Sequence, residues 1–215
     1  MISLAASAQI TGHIGIDSDV AATDTRIINA GTVAGGYIGV AAYSLRCAVT
    51  NRGEIFGLYG IYTALHDGAT LSNSGLIEGE KIGILATDTH SATTTRTTIT
   101  NSGQIVGGDW GISSTYEGST TDGFGNVSLV NSGTISGMLG SFVAAKTGAD
   151  SVTNSGTMIG NVRLEGGDDI YAATSTGRVQ GTILGAQATT RSRAATSPIA
   201  WTGAAGMTPV RRRRR

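Results

Sequence analysis

The sequence predicts an all-β fold, a right-handed parallel β-solenoid whose rungs are about 22 residues long. An Asn-x-Gly-x-aliphatic frame recurs, aliphatic and polar residues alternate around it, and glycine is abundant, with 33 copies against 2 of proline. Short strands at a constant period cannot bury their inner faces alone, so equivalent strands must stack rung on rung. The frame begins at six asparagines, which are Asn29, Asn51, Asn73, Asn101, Asn131 and Asn154.

The spacing of the frame sets the length of the unit. Successive asparagines are 22, 22, 28, 30 and 23 residues apart. The two long intervals contain the polar stretches THSATTTRTT and STYEGSTTDGFGN, which lie between aliphatic segments. We therefore expect these two insertions to form loops on one side of the stack.

Two aliphatic positions flank each asparagine and predict a strand on either side of it. One lies two residues before the asparagine and the other lies four residues after it, with polar neighbours on a period of two. The Asn-x-Gly element is expected to bend the chain, because both residue types tolerate the left-handed region and the Asn amide can bond nearby backbone. Stacking then predicts a structural ladder of the six asparagines, with rungs about 4.8 Å apart.

A second glycine-aliphatic pair predicts another corner in the rung. It occurs at Gly39-Val40, Gly60-Ile61, Gly83-Ile84 and Gly111-Ile112. The segments QITGHIGID and STGRVQGTILG have the character of degenerate first and last rungs. We therefore predict that the solenoid covers residues 1–185.

Composition predicts the kind of core and excludes several kinds of binding site. Aromatic residues make up only 5% of the chain and Cys47 is the single cysteine, which predicts a narrow aliphatic core without a disulfide framework or a cysteine-based zinc site. No apolar run approaches the roughly 18 residues of a membrane span. The first residues lack the basic region of a secretory signal, so export would depend on a signal elsewhere or on a longer chain. His13, His66 and His90 lie in different units and do not predict a metal site.

The segment LEGGDDIYA, residues 164–172, places two adjacent carboxylates after paired glycines. Calcium prefers several oxygen ligands in a flexible geometry, which such a turn can supply. The segment resembles the nonapeptide repeat of secreted bacterial RTX calcium-binding proteins, although Leu164 and Glu165 stand where that repeat has its first two glycines. The resemblance implies a metal site at Gly166, Gly167, Asp168 and Asp169. A full site needs a second copy about eighteen residues on, where Gln187 stands, so we expect Ca²⁺ binding to be weak or partial.

Residues 186–215 no longer follow the repeat and end in five arginines. Read one base back, the codons of Trp201-Thr202 and of Met207-Thr208 must each contain GAC, which encodes aspartate. Such a reading matches nonapeptide repeats in the wrong frame, so we expect a disordered tail that is out of frame with an RTX-type block. The arginine run then has its origin in G+C-rich repeat DNA, and no nucleic-acid partner is expected.

The repeat spacing predicts the solenoid, and the resemblance to RTX proteins implies a secreted or surface-exposed bacterial protein, structural and calcium-binding, which we expect to have no enzymatic activity. The resemblance implies an extracellular location, with calcium and cell-surface or extracellular components as partners.

One alternative is the passenger stalk of an autotransporter or filamentous adhesin, which would use the same rungs as a rigid spacer. A lesser alternative is a solenoid polysaccharide lyase, which would need paired acids at matching positions of successive units, and none recur in the sequence. Asp109-Trp110 and Tyr116-Glu117 are candidate sugar contacts, although a tryptophan in a strand commonly packs against its neighbours.

Overall fold

The computed structural model describes residues 1–18, 22–44, 46–64, 68–87, 96–115, 126–174 and 176–185, together with the backbone of residues 191–193 and 208–209. Those residues form strands, turns and bends, without a helix. The strands are β1 (Ile2–Leu4), β2 (Gln9–Ser18), β3 (Arg26–Asn29), β4 (Thr32–Ala42), β5 (Ala48–Asn51), β6 (Glu54–Ala64), β7 (Thr70–Asn73), β8 (Leu76–Thr87), β9 (Arg96–Asn101), β10 (Gln104–Gly107), β11 (Trp110–Ser113), β12 (Asn126–Asn131), β13 (Thr134–Val143), β14 (Ser151–Asn154), β15 (Thr157–Arg163), β16 (Ile170–Ala173), β17 (Arg178–Gln180), β18 (Ile183–Leu184), β19 (Arg191–Arg193) and β20 (Thr208–Pro209).

The strands form two parallel sheets that share the rungs of one coil. The first sheet has the order β1-β3-β5-β7-β9-β12-β14-β16-β19-β20. The second has the order β17-β15-β13-β10-β8-β6-β4-β2, with β11 pairing β8 and β13, and β18 pairing β15. Each strand therefore pairs with its equivalent one rung away, which confirms the predicted all-β parallel solenoid. The right-handed sense of the coil stays a prediction.

Three aliphatic columns form the core. The first runs through the position two before each asparagine, the second through the position four after it, and the third through the corner that the second glycine pair predicts. No side chain in these columns is more than 2% exposed. The columns are Ile27, Val49, Leu71, Ile99, Leu129 and Val152; then Val33, Ile55, Ile77, Ile105, Ile135 and Met158; then Val40, Ile61, Ile84, Ile112, Phe142 and Val162.

The glycine of the Asn-x-Gly element is required for a reason other than the expected one. None of the asparagines or glycines of the frame has a positive φ, so the left-handed region plays no part in this bend. A Cβ on Gly75 would lie 2.0 Å from the carbonyl oxygen of Gly53 in the preceding rung, and Gly133 meets Gly103 in the same way at 2.1 Å. Close stacking of one corner on the next therefore excludes any side chain here.

A second apolar cluster lies on the face of the long strands opposite the third column. Its in-register members form what we call the outer stripe, which consists of Ile14, Ile38, Tyr59, Ile82 and Trp110. Ile38, Tyr59 and Ile82 are buried, and Ile14 and Trp110 pack against them. The repeat does not predict this stripe, because its residues differ in type from rung to rung.

The predictions about loops and tail fall largely outside the described residues. The two insertions lie between β8 and β9 and between β11 and β12, and most of each insertion is outside the described ranges. Of the tail, the described backbone consists of β19 and β20, which continue the first sheet, and the predicted disorder of residues 186–215 stays a prediction. No helix that is long and apolar enough to cross a membrane occurs in the described part of the chain. Individual residues singled out in the sequence that also lie outside the described ranges are His66, His90, Tyr116, Glu117 and Gln187.

Candidate functional site

A continuous ladder of buried amides runs along one edge of the solenoid. The six repeat asparagines are in register, and the Nδ2 of each of the first five donates to the Oδ1 of the next asparagine at 2.8 to 2.9 Å. Each also donates to a backbone carbonyl one rung on, as Asn51 does to Leu76 at 3.0 Å. A primary amide has two N–H donors, so stacking satisfies both on every interior rung. The ladder can therefore be extended from rung to rung without leaving a buried amide donor unsatisfied.

The ladder ends at a different kind of residue. The position that follows Asn154 in register is Ala173, so no further asparagine accepts its proton. The Tyr171 hydroxyl accepts the bond instead, at 3.3 Å from Asn154 Nδ2. Burial raises the pKa of Tyr171 to about 12, and the hydrogen bond from Asn154 opposes that rise. Tyr171 thus takes the place of an aliphatic residue in the first column and also terminates the ladder.

The predicted metal residues do not converge on one point. Asp169 is fully buried, whereas its neighbour Asp168, in the bend that precedes β16, is exposed. Gly166 and Gly167 are half-buried in the turn before them. Asp168 and Asp169 therefore lie in different surroundings, and the metal site predicted at residues 166–169 stays a prediction.

Asp169 instead meets Asp150, one rung earlier and 19 residues back in the chain. Asp169 Oδ1 accepts the Asp150 backbone N–H at 3.0 Å, and Asp150 Oδ1 accepts the Val127 N–H at 2.6 Å. Both carboxyl groups are at most 1% exposed, and the Oδ2 atom of each has no hydrogen-bond partner among the described residues. We call Asp150 and Asp169 the carboxyl pair.

Burial sets the electrostatics of the carboxyl pair. Burial raises the pKa of Asp150 to about 7, and the nearby Asp169 charge adds to the rise, whereas the bond from Val127 and the charge of Arg96 oppose it. Burial likewise raises the pKa of Asp169 to about 6, with the bond from the Asp150 N–H opposing and Asp168 adding to the rise. At neutral pH the pair therefore retains part of a proton that ordinary aspartates have lost.

Asp150 is absent from the residues predicted from sequence, although a signal for it is present. The segment Gly148-Ala149-Asp150-Ser151-Val152 has the same Gly-x-Asp-x-apolar order as Gly167-Asp168-Asp169-Ile170-Tyr171. The nonapeptide resemblance places a partner one copy forward, at Gln187, whereas the partner of Asp169 lies one rung backward. In both turns the glycine is required: Gly148 and Gly167 have φ of 151° and 132°, and a Cβ on Gly167 would meet the Gly148 carbonyl oxygen at 1.5 Å.

The donor set of this region is too small for a calcium cage. Calcium takes about six to eight oxygen ligands, whereas the carboxyl pair offers two unpartnered oxygens. The Gly148 carbonyl oxygen packs against Gly167. Among the described residues, no group of three or more His, Cys, Asp or Glu side chains is arranged to hold a metal ion. These residues therefore fit at most a partial site.

Comparison of the chain with protein-family models, with curated proteins and with solved structures finds no match. Its function must therefore be inferred from the repeat and from the geometry of the ladder and the carboxyl pair.

Proposed function

We propose that this protein is a non-catalytic structural solenoid, secreted or exposed on the bacterial surface, that acts as a rigid scaffold. The observation that carries this proposal is the unbroken ladder of six asparagines between Asn29 and Asn154, in register with three buried aliphatic columns. Such a stack resists bending because every rung is bonded to its neighbours through backbone, amide and core contacts. The extracellular setting depends on the resemblance of residues 164–172 to RTX nonapeptides.

Rigidity can be measured directly with two spin labels on the full-length chain. Arg52→Cys and Ser155→Cys place labels beside the ladder four rungs apart, at a separation of roughly 19 Å before the label arms are added. The native Cys47 is 1% exposed and should stay unlabelled. We expect a narrow distance distribution by pulsed electron resonance. A distribution as broad as that of the urea-unfolded chain would contradict the scaffold role.

Location is tested separately in cells that express the complete gene. The protein should be recovered from the medium or the cell surface, where trypsin added to intact cells cleaves it while a cytoplasmic marker survives. Recovery of the protein with the cytoplasmic marker would contradict the extracellular setting and leave the scaffold measurement unaffected. An autotransporter stalk would differ from an RTX-type protein in the downstream part of the gene, which would encode an outer-membrane anchor in the first case and nonapeptides with a type I signal in the second.

Weak calcium binding is a second candidate role, favoured by the two unpartnered oxygens of Asp150 and Asp169. Once both carboxyl groups are ionised, a divalent cation would offset their mutual repulsion, with water completing the ligand set. We expect titration calorimetry to give a dissociation constant in roughly the millimolar range of weak extracellular sites. Asp169→Asn should abolish the heat, whereas Asp168→Asn should retain it. Micromolar binding would show a more complete site, and heat unchanged in Asp169→Asn would reject the carboxyl pair.

A further inference from the structure

The outer stripe ends in a hollow on the surface of the solenoid. In the register that carries Ile82 and Trp110, the next two positions are Gly140 and Asn161, so the side chain shrinks abruptly after the tryptophan. The space left by this change is a cavity of about 360 Å³. Its walls are Trp110, Leu139, Asn161, Arg163, Glu165, Leu184 and Gly185.

An aromatic ring forms one wall of this cavity. The Trp110 side chain lies against the backbone of Gly140, where a Cβ would come within 2.2 Å of ring atom Cζ3. The guanidinium carbon of Arg163 is 5.9 Å from the centre of the same ring, within the range of a cation–π contact. Trp110 is half-buried, so its packing in the outer stripe leaves part of the indole accessible. The ring is thus held in place before any ligand arrives.

Planar polar groups line the same cavity. Arg163 Nη2 and Glu165 Oε1 form an ion pair at 2.5 Å, and both side chains remain partly exposed. Asn161 Oδ1 accepts the Thr182 N–H at 3.0 Å, and Asn161 Nδ2 donates to the Leu139 carbonyl at 3.4 Å. Within the described residues, these bonds leave one Asn161 N–H, further Arg163 donors and the second Glu165 oxygen available. Their orientations are therefore fixed while hydrogen-bonding capacity remains.

We propose that this cavity binds a neutral saccharide unit. A sugar ring has an apolar C–H face, which suits an indole, and a rim of hydroxyl groups that both donate and accept, as Arg, Asn and Glu side chains require. The charges of Arg163 and Glu165 cancel, so the site has no net attraction for an anion or a cation. The volume is at the lower end of that of small-molecule sites, which suits one or two sugar rings. This binding role goes beyond the scaffold role and does not depend on it.

The test is binding of the full-length protein to a glycan array that displays neutral and acidic glycans, followed by calorimetry with the strongest neutral ligand. We expect signal on neutral glycans, with acidic glycans weaker. Trp110→Leu should weaken binding by at least about tenfold because it keeps apolar packing but removes the ring. Trp110→Phe, which keeps an aromatic ring, should retain most of the wild-type affinity.

Two further variants separate binding from folding. Leu139 is 51% exposed, so Leu139→Arg should fill the cavity without disturbing the core and should also weaken binding by about tenfold. Tyr37, an aromatic residue outside the cavity that is 37% exposed, provides the matched control, and Tyr37→Leu should bind normally. Absence of signal on every neutral glycan overturns the proposal. So does signal on neutral glycans that Trp110→Leu and Leu139→Arg both leave unchanged in samples with wild-type circular dichroism.

Discussion

Residues 26–143, which we call the ladder region, differ from residues 144–185, the C-terminal region, in how buried amide and carboxyl groups are satisfied. In the ladder region each buried amide is bonded to an identical amide on the next rung, at nearly constant distance. In the C-terminal region the ladder ends on Tyr171, and two buried carboxyl groups each keep one oxygen without a partner. Both regions share the aliphatic columns, so they differ in polar chemistry and not in core packing.

This difference has a general physical cause. In a repeat, the donor of one side chain bonds the acceptor of the identical side chain on the next rung. The free-energy cost of burying a polar group is therefore small however many rungs are added. Where the sequence departs from the repeat, that reciprocity ends and polar groups depend on whatever is nearby. The candidate chemistry of the molecule, the carboxyl pair and the cavity beside Trp110, accordingly uses positions outside the repeated Asn-x-Gly-x-aliphatic frame.

The largest expected effect tests the columns that the two regions share. Ile105→Asp places an unpaired charge in a fully buried position of the ladder region and should lower the free energy of unfolding by roughly 4 kcal/mol or more. Met158→Asp, in the same column of the C-terminal region, should cost about as much. Urea denaturation measures both. The control is Gln104→Asp, at the exposed neighbouring position, which should change stability by less than about 0.5 kcal/mol.

The next effect tests the ladder itself. Asn101→Ala removes the acceptor for Asn73 Nδ2 and the donor to Asn131 Oδ1. Each of these two buried atoms then lacks one hydrogen bond. We expect a loss of about 3 kcal/mol in urea denaturation. Thr100→Ala, at the adjacent exposed position, is the matched control and should be near neutral. Equal effects of the two substitutions would mean that the ladder adds no stability of its own.

The carboxyl pair predicts a pH dependence confined to the C-terminal region. The folded pKa values of Asp150 and Asp169 are raised from 3.8 to about 7 and about 6, so folding favours the protonated forms. Their contribution to stability is therefore fully present below about pH 4 and is lost as pH rises through 6 to 7. Hydrogen exchange, corrected for intrinsic rates, should show β14 and β16 losing protection between about pH 4.5 and 8 while β7 and β9 do not. The double variant Asp150→Asn/Asp169→Asn should remove this difference, and protection that increases with pH would contradict it.

The smallest effect concerns the end of the ladder. Tyr171→Phe keeps the packing of the ring but removes the hydroxyl that accepts the Asn154 bond. Because that bond is long and Asn154 keeps its bond to the Arg178 carbonyl, we expect a loss of only about 1 kcal/mol. Thermal unfolding of the two proteins measures it. A loss as large as that of Asn101→Ala would show that the ladder ends in a stronger contact than the geometry indicates.

Much of the fold could be predicted from sequence because the repeat encodes register. Asparagines 22 to 30 residues apart can stack only if the intervening insertions loop out from the rungs. The structure pairs Asn73 with Asn101 and Asn101 with Asn131, so register is kept across both insertions. The outer stripe could not be predicted in this way. Ile38, Tyr59 and Trp110 share no residue type, and their equivalence appears only once the strands are aligned.

The candidate sites show the same division. The segment Gly167-Asp168-Asp169 is recognisable from its composition, but sequence adjacency suggests that the two aspartates act together. In the structure Asp168 is exposed and Asp169 faces Asp150 across a rung. The cavity likewise joins Trp110 to Arg163 across more than one rung, and a glycine at 140 creates the space between them.

The sequence by itself determined the strands, their period and the side chains that stack on their own equivalents, because these depend on local alternation and on a repeat that recurs along the chain. Only the tertiary structure decided which unlike residues meet across rungs, such as Asp150 with Asp169, and Trp110 with Gly140 and Arg163. The physical reason is that a stack fixes the partner of each residue by register. Where the residues in register differ, their burial, charge and the space between them are properties of the assembled rungs and of no single segment.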